Sequence, residues 1–288
     1  MDKATKEVIR QAVRERYGKI ANAGSEVSGI SASVPCCGDS GTAAGKNSAA
    51  ACCSGGSDVN SAQISALMGY SKQDLASVTD GANMGLGCGN PVALASLQTG
   101  ETVVDLGSGG GFDCFLAAKQ VGHTGRVIGV DMTPDMLSKA RANTEKMQAK
   151  NVEFRLGEIE HLPVADNSAD IIMSNCVINL SPDKLSVYRD AYRILKPGGR
   201  LAISDIIAIA PLPEEIQQNL ALVSACVGGA ATIDDTRDML AQAGFENIKI
   251  TAKDESRKLI SEWTAGDSKN AGDYVVSAYI EATKPAKG

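Results

Sequence analysis

Hydrophobic positions recur along this chain at two spacings, and the alternation between them predicts a fold. From residue 101 onward, short apolar runs, TVVDL (102–106), RVIGVD (126–131), VEFRLG (152–157), ADIIMS (169–174) and RLAISDIIA (200–208), alternate with stretches whose apolar residues fall three and four apart. The runs predict strands, and the stretches at 111–121, 134–149 and 182–195, the last closing with LKPGG, predict helices. Strand, helix, strand in short regular units is the pattern of a parallel sheet covered on both faces. Beyond it come a polar helical stretch at 213–225, a break at Gly228 and Gly229, a helix at 233–243 and two further strands at 246–252 and 273–283. At the other end, Val8, Ile9, Ala12, Val13, Tyr17 and Ile20 recur at helical spacing over residues 3–20, and Gly24 ends the stripe. Residues 24–60 hold Gly, Ser and Ala with hardly a large apolar side chain, and read as a mobile linker carrying two thiol pairs, Cys36-Cys37 and Cys52-Cys53.

Charge narrows the partners. A net charge of −6 lacks the clustered Lys and Arg that nucleic-acid binding needs, so a small substrate is expected and no nucleic acid. The first twenty residues are charged throughout, and no run approaches the roughly 18 apolar residues of a membrane span. No membrane is therefore expected, and a cytoplasmic location is. In a reducing compartment the eight cysteines read as ligands, nucleophiles or redox partners rather than as staples. Only two histidines, His123 and His161, are present, and both read as surface residues.

The first strand runs into VVDLGSGGGFDC, residues 103–114, where Gly107, Gly109, Gly110 and Gly111 surround Ser108. Glycines here let the backbone turn sharply and approach a ligand at a helix N-terminus, so the loop is a cofactor cradle. The dinucleotide fingerprint would need glycine at 112, where Phe112 stands, and Asp105 before the loop suits a pyrophosphate poorly. D-x-G-x-G-x-G resembles motif I of the S-adenosylmethionine (SAM) methyltransferases, whose cofactor carries a cationic amino acid. Asp131, ending the second strand 26 residues after Asp105, is placed to accept both ribose hydroxyls. The same resemblance implies Met132 against the adenine, and Gly157, Glu158 and Ile159 along its edge, with Glu158 taking the amino group.

An acceptor in an open parallel sheet sits at the carboxyl ends of the strands, and Cys176 stands at the end of the fourth, beside Asn175 on the cofactor side. A thiol is a poor base but a strong ligand for soft ions once ionised, so this position suggests a soft acceptor. Cys88 lies between Gly87 and Gly89, where the backbone can pass close to another surface, and Cys226 lies beside Gly228 and Gly229. Taken singly, each is more often a small buried apolar residue, the reading kept for Cys114. A zinc site at the adjacent pairs 36-37 and 52-53 lacks the usual C-x2-4-C spacing; those thiols trap a soft ion or have no role.

GANMGLGCGNP, VVDLGSGGGFDC, GVDMTPDML, FRLGEIEHLPVADNSAD and SNCVINLSPDK together resemble the arsenite SAM methyltransferases over residues 61 to about 250. The resemblance implies a class I SAM-dependent methyltransferase fold, Rossmann-like α/β with a seven-stranded, mostly parallel sheet. Residues 1–60 form an N-terminal helix and cysteine-bearing segment, 61–210 the cofactor-binding core, and 211–288 a part completing the sheet and the arsenic site. It implies As(III), free or as a thiol conjugate, held by three thiolates that match Cys88, Cys176 and Cys226. It also implies a fourth thiol in a redox relay, Cys52 or Cys53, reopened by thioredoxin or a small thiol, and no permanent metal cofactor. Two other readings share the fold: a quinone- or sterol-type carbon methyltransferase, indifferent to loss of Cys88 or Cys226, and a non-catalytic As(III)- or soft-metal-binding protein.

Overall fold

The computed structural model describes residues 3–23, 61–257, 260–261 and 271–286; the cysteine pairs at 36-37 and 52-53 lie outside them. Helix α1 (Lys3–Asn22) is followed by three short helices, α2 (Ser61–Leu67), α3 (Lys72–Ala76) and α4 (Pro91–Ala95). The last two are started by capping side chains. Ser71 and Asp74 close a capping box on α3, and Asn90 caps α4 ahead of Pro91, whose missing N–H costs nothing at the first helical position. The alternating region then runs β1 (Thr102–Leu106), α5 (Phe112–Val121), β2 (Arg126–Asp131), α6 (Pro134–Met147), β3 (Val152–Leu156), β4 (Ala169–Asn175), α7 (Lys184–Ile194) and β5 (Leu195–Ala208). Helices α8 (Glu214–Gln218), α9 (Leu220–Ser224) and α10 (Ile233–Ala243) lead to β6 (Glu246–Lys253) and β7 (Val275–Thr283).

The strands form one seven-stranded sheet in the order β3-β2-β1-β4-β5-β7-β6. The first five are parallel, and β7 inserts antiparallel between β5 and β6. Period-two geometry splits each apolar run between two cores. Val103, Val127, Ile171 and Met173 point to the layer of α4, α5 and α6, where they meet Phe115 and Leu137. Val104, Leu106, Ile128, Val130 and Ile172 point the other way, against Val187, Ala191 and Ile194 of α7 and Leu240 of α10. A third core holds Ile9 and Val13 of α1, Leu222, Val227 and the thiols of Cys88, Cys176 and Cys226. It sits at the carboxyl edge of the sheet, beside the one place where the strand order reverses, between β1 and β4. Open α/β sheets bind their ligands at such a switch point.

Three elements depart from the sequence pattern. The LKPGG stretch does not close α7 but opens β5, and pairing with β4 shifts between Ala169 and Ile171 to absorb the extra residues as a bulge. The polar stretch at 213–225 is two helices, because Asn219 leaves helical geometry and its side chain accepts N–H bonds from Ala221 and Leu222 instead. Along α1, Val8 is exposed while Ile9 and Val13 are buried, so the buried stripe is narrower than the spacing suggested.

Candidate active site

The cradle is built at the end of β1. Gly107 has φ +68°, and a Cβ there would run into the Val177 side chain, so both the turn and the close approach demand glycine. Asp131, at the end of β2, accepts the Gly109 N–H at 2.9 Å and the Thr133 N–H at 2.8 Å. It thereby ties the glycine loop to the start of α6. Its carboxylate is buried, and that burial pushes its pKa up against the pull of these backbone donors. Asp105 is deeper: burial raises it well above the carboxylate range, the Asp113 charge adds to this, and the Cys114 thiol donates to it at 3.2 Å. Asp113, in the first turn of α5, is pushed by burial to about 6 although Tyr70 Oη donates to it at 2.5 Å and Asn175 Nδ2 at 3.1 Å. Ser108 Oγ is buried without a partner among the described residues.

A cavity joins this cradle to Cys176, and Cys88 and Cys226 pack beside that residue in the third core. Asp105, Asp131, Met132 and Ile159 line one end, and Asn175 and Cys176 the other. Asn175 fixes the junction: its Oδ1 accepts the Cys88 N–H at 3.0 Å, and its Nδ2 donates to the Gly89 carbonyl at 2.9 Å. Gly87 and Gly89 make that approach possible, since a Cβ on the first would strike the Asn175 amide and one on the second the Ser204 hydroxyl. Cys88 is thus carried from the loop before α4 onto the end of β4. Its Sγ lies 3.7 Å from Ser204 Oγ, and the donor atoms of Cys88, Cys176 and Asp205 all lie within 4.8 Å of one another. Cys226 joins them from the turn after α9, its thiol donating to the Cys176 carbonyl at 2.7 Å. Both Cys176 (φ +58°) and Cys226 (φ +66°) hold left-handed backbone, a conformation that costs a β-carbon residue on the order of 1–2 kcal/mol. Two of the six described non-glycine residues with positive φ thus fall in this one cluster.

Comparison with known proteins agrees with this geometry. Residues 97–244 match a family model described as a methyltransferase domain. The arsenite methyltransferase of Halobacterium salinarum is 53% identical over 281 residues, 98% of this chain and 68% of that protein. The chain belongs to the arsenite methyltransferase family. The enzyme of that name from Aquipseudomonas alcaligenes is 46% identical over 57% of this chain and spans about half of its own length, 49%. Among solved structures, an arsenic(III) S-adenosylmethionine methyltransferase from Chlamydomonas reinhardtii superposes with a TM-score of 0.58 at 29% identity, covering 78% of this chain and 74% of that one. The class I SAM methyltransferase fold read from the sequence is therefore the fold of the chain, and S-adenosylmethionine is its cofactor.

The residues present fit that cofactor. Two buried carboxylates, Asp105 and Asp131, line the cavity with no ion pair of their own among the described residues, and the Ser108 hydroxyl is unpartnered among them. A positively charged ligand with polar edges satisfies all three. Glu158 differs from expectation in its surroundings: Arg14 Nη2 donates to it at 2.5 Å and Arg10 Nε lies at 3.3 Å, while its neighbours Ile159 and Glu160 line the cavity. In this arsenite methyltransferase family member α1 is a wall of the site, contributing Arg10, Val13 and Tyr17 to the cavity. Tyr17 Oη also donates to the Ser224 carbonyl at 3.4 Å, two residues before Cys226.

Cys88 and Cys176 are held as neutral groups. Burial pushes Cys88 up, and it pushes Cys176 well up, with the hydrogen bonds to the flanking thiols of Cys226 and Cys88 adding to the effect. Cys114 is buried on α5 and bonded to Asp105, apart from the cluster. Four features around the site escaped the sequence reading. Asp113 and Asp205 each left a signal, an acid in the first turn of the cofactor helix and a lone acid inside the apolar run of β5. Tyr70 and the closure by α1 left none, because both depend on which surface folds against the sheet edge.

Proposed function

We propose that the chain methylates trivalent arsenic held by Cys88, Cys176 and Cys226, with S-adenosylmethionine as donor. The observation that carries this is the shared cavity: the thiol at the end of β4 and the carboxylates of the cofactor cradle open on the same space across the switch point. As(III) is soft and three-coordinate, so thiolates suit it. Each S–As bond forms as a thiol loses its proton and arsenite's hydroxide leaves with that proton as water. Thiols that burial keeps neutral need no counter-ion beforehand. Cys226 turns from the Cys176 carbonyl to complete the set. The three-coordinate ion keeps an unshared lone pair, the nucleophile that methyl transfer requires, and no general base is needed because no proton leaves arsenic.

S-adenosylmethionine, when bound, supplies an electrophilic methyl group on a sulfonium. Asp131 would hold the ribose hydroxyls, Asp105 and Ser108 would meet the amino-acid end, and Met132 and Ile159 would flank the base. Ile9, Val13 and Leu222 around the thiols keep water from the reacting atoms. The methylated arsenic is formally pentavalent; two protein thiols return it to the trivalent state by forming a disulfide, which thioredoxin or a small thiol reopens. Cys52 or Cys53 serves as the relay thiol, As(III) arrives free or as a thiol conjugate, and the compartment is the reducing cytoplasm. The described helices include none long and apolar enough to cross a membrane. The division at residues 60 and 210 separates the relay segment, the cofactor core and the part bearing Cys226.

The test is direct. Reduced protein is incubated with arsenite, SAM and a thiol reductant, and the arsenic is speciated. Methylarsenicals are expected, and their absence from protein shown to bind SAM contradicts the proposal.

A further inference from the structure

We propose that Cys88, Cys176 and Asp205 form a binding site for a soft or borderline divalent cation of the zinc and cadmium type, which excludes arsenite by taking two of its three ligands. This rests on the same thiol cluster as the arsenic site, but on a different donor set.

Asp205 is the residue that the arsenic reading leaves unused. It lies in the apolar run of β5, is 2% exposed, and burial pushes its carboxyl to about 6. As(III) saturates its valence with three thiolates and does not need a carboxylate. A divalent cation does: two thiolates make the ion neutral and leave room for an oxygen donor. The donor atoms of Cys88, Cys176 and Asp205 lie within 4.8 Å of one another, and all three residues are buried. In a tetrahedral zinc site with S and O ligands the donors stand about 3.5–3.8 Å apart, so small side-chain rotations close the set. Cadmium, a larger ion, asks for less movement. Cys226 falls outside the set, since its thiol is turned onto the Cys176 carbonyl.

The surroundings of Asp205 are those of a supported ligand. Its Oδ2 accepts the Ile178 N–H at 2.9 Å, and its Oδ1 accepts the Ile206 N–H at 2.8 Å and the Asn179 amide at 3.0 Å. Ligating carboxylates are characteristically held in place by such bonds. Lys184, half-buried, lies near Asp205 and offsets the carboxylate charge left once two thiolates have neutralised the cation; Tyr188 also feels the Asp205 charge. On binding, the cation displaces one proton from each of two thiols to solvent, and no electrons are transferred.

The experiment uses full-length protein carrying Cys36→Ser, Cys37→Ser, Cys52→Ser and Cys53→Ser, so that the N-terminal thiols do not compete. Cadmium is titrated by its thiolate charge-transfer absorbance, and arsenite by retention on a desalting column. Asp205→Asn is expected to weaken cadmium at least tenfold while arsenite retention stays within twofold. Cys226→Ser is expected to do the reverse, weakening arsenite at least tenfold and keeping cadmium within twofold. Cadmium NMR of the unsubstituted site is expected to give the shift of a two-sulfur, oxygen-containing set, which keeps the proposal testable if Asp205→Asn fails to fold. Unchanged cadmium affinity in Asp205→Asn, loss of cadmium in Cys226→Ser, or a three-sulfur shift would overturn it. Loss of arsenite retention in the parent protein with cadmium intact would instead sink the arsenic reading and leave this one standing.

Discussion

At the scale of single residues, Cys176 is where sequence and geometry meet. A thiol at a strand end could be an ordinary buried residue; its left-handed backbone and the converging Cys88 and Cys226 support the ligand role proposed for it. Cys176→Ser keeps the size and backbone preference of the residue. It is expected to lose arsenic methylation to background while SAM affinity, read by calorimetry, stays within about twofold. Asp131 bears on the cofactor instead. Asp131→Ala removes the acceptor for the Gly109 and Thr133 N–H groups and the proposed ribose contact, and is expected to weaken SAM about tenfold or more, since bonds to a charged group are worth ~1.5–3 kcal/mol. Asp113 carries a pH signature. Its carboxyl stands at about 6 in the fold against an ordinary 3.8, so the folded state holds its proton more tightly than the unfolded chain. The sign follows: this stabilisation is complete below pH 3.8 and is lost as pH rises through about 6, an effect of about 3 kcal/mol. Asp205 acts in the same direction over the same window. Asp113→Asn is therefore expected to flatten the fall in melting temperature of cofactor-free protein between pH 4 and pH 7 (~4–7) without abolishing it. Unaltered slopes would count against the burial of Asp113.

At the scale of elements, α1 is the part whose role depends most on tertiary contact. Its apolar stripe was readable, but a stripe does not say what it covers. Val13 is 2% exposed in the third core, while Lys6 pairs with Asp183 at 2.6 Å and Arg10 with Glu160 at 3.2 Å. The partly exposed Lys6–Asp183 pair contributes about 0.2–1 kcal/mol, so burial of Ile9 and Val13 holds the helix and the ion pairs set its register. Val13→Asp places an unpaired charge in that core. It is expected to raise hydrogen exchange across Lys3–Asn22 and to weaken SAM several-fold, with exchange in β1, β2 and β4 unchanged. Equal loosening of the sheet would show that α1 is not a separate cover. The break at Asn219 was hidden for a related reason: periodicity counts apolar spacing, whereas Asn219 ends α8 and starts α9 through its own side-chain bonds.

At the scale of the whole molecule, most of the architecture was legible because it rests on local rules. The apolar runs of β1, β2 and β4 gave the strands, the spacing of the helices gave the parallel order, and DLGSGGG followed by Asp131 gave the cofactor. The antiparallel insertion of β7 between β5 and β6 was not legible, since nothing in VVSAYIEAT encodes direction. Nor was the meeting of Cys88, Cys176 and Cys226, separated by long stretches of chain. The motifs suggested it by resemblance, and the fold accomplishes it through Asn175 gripping the Cys88 loop and through the Gly228 turn placing Cys226 over β4. The central claim is that these three sulfurs, on the acceptor side of the cofactor cavity, hold trivalent arsenic. X-ray absorption at the arsenic edge tests it most directly, on full-length protein with the four N-terminal cysteines changed to serine and one equivalent of arsenite. The account predicts three sulfur neighbours and no oxygen, falling to two in each of Cys88→Ser, Cys176→Ser and Cys226→Ser and staying at three in Cys114→Ser. Oxygen in the parent spectrum, or a sulfur lost only when Cys114 is replaced, would contradict it.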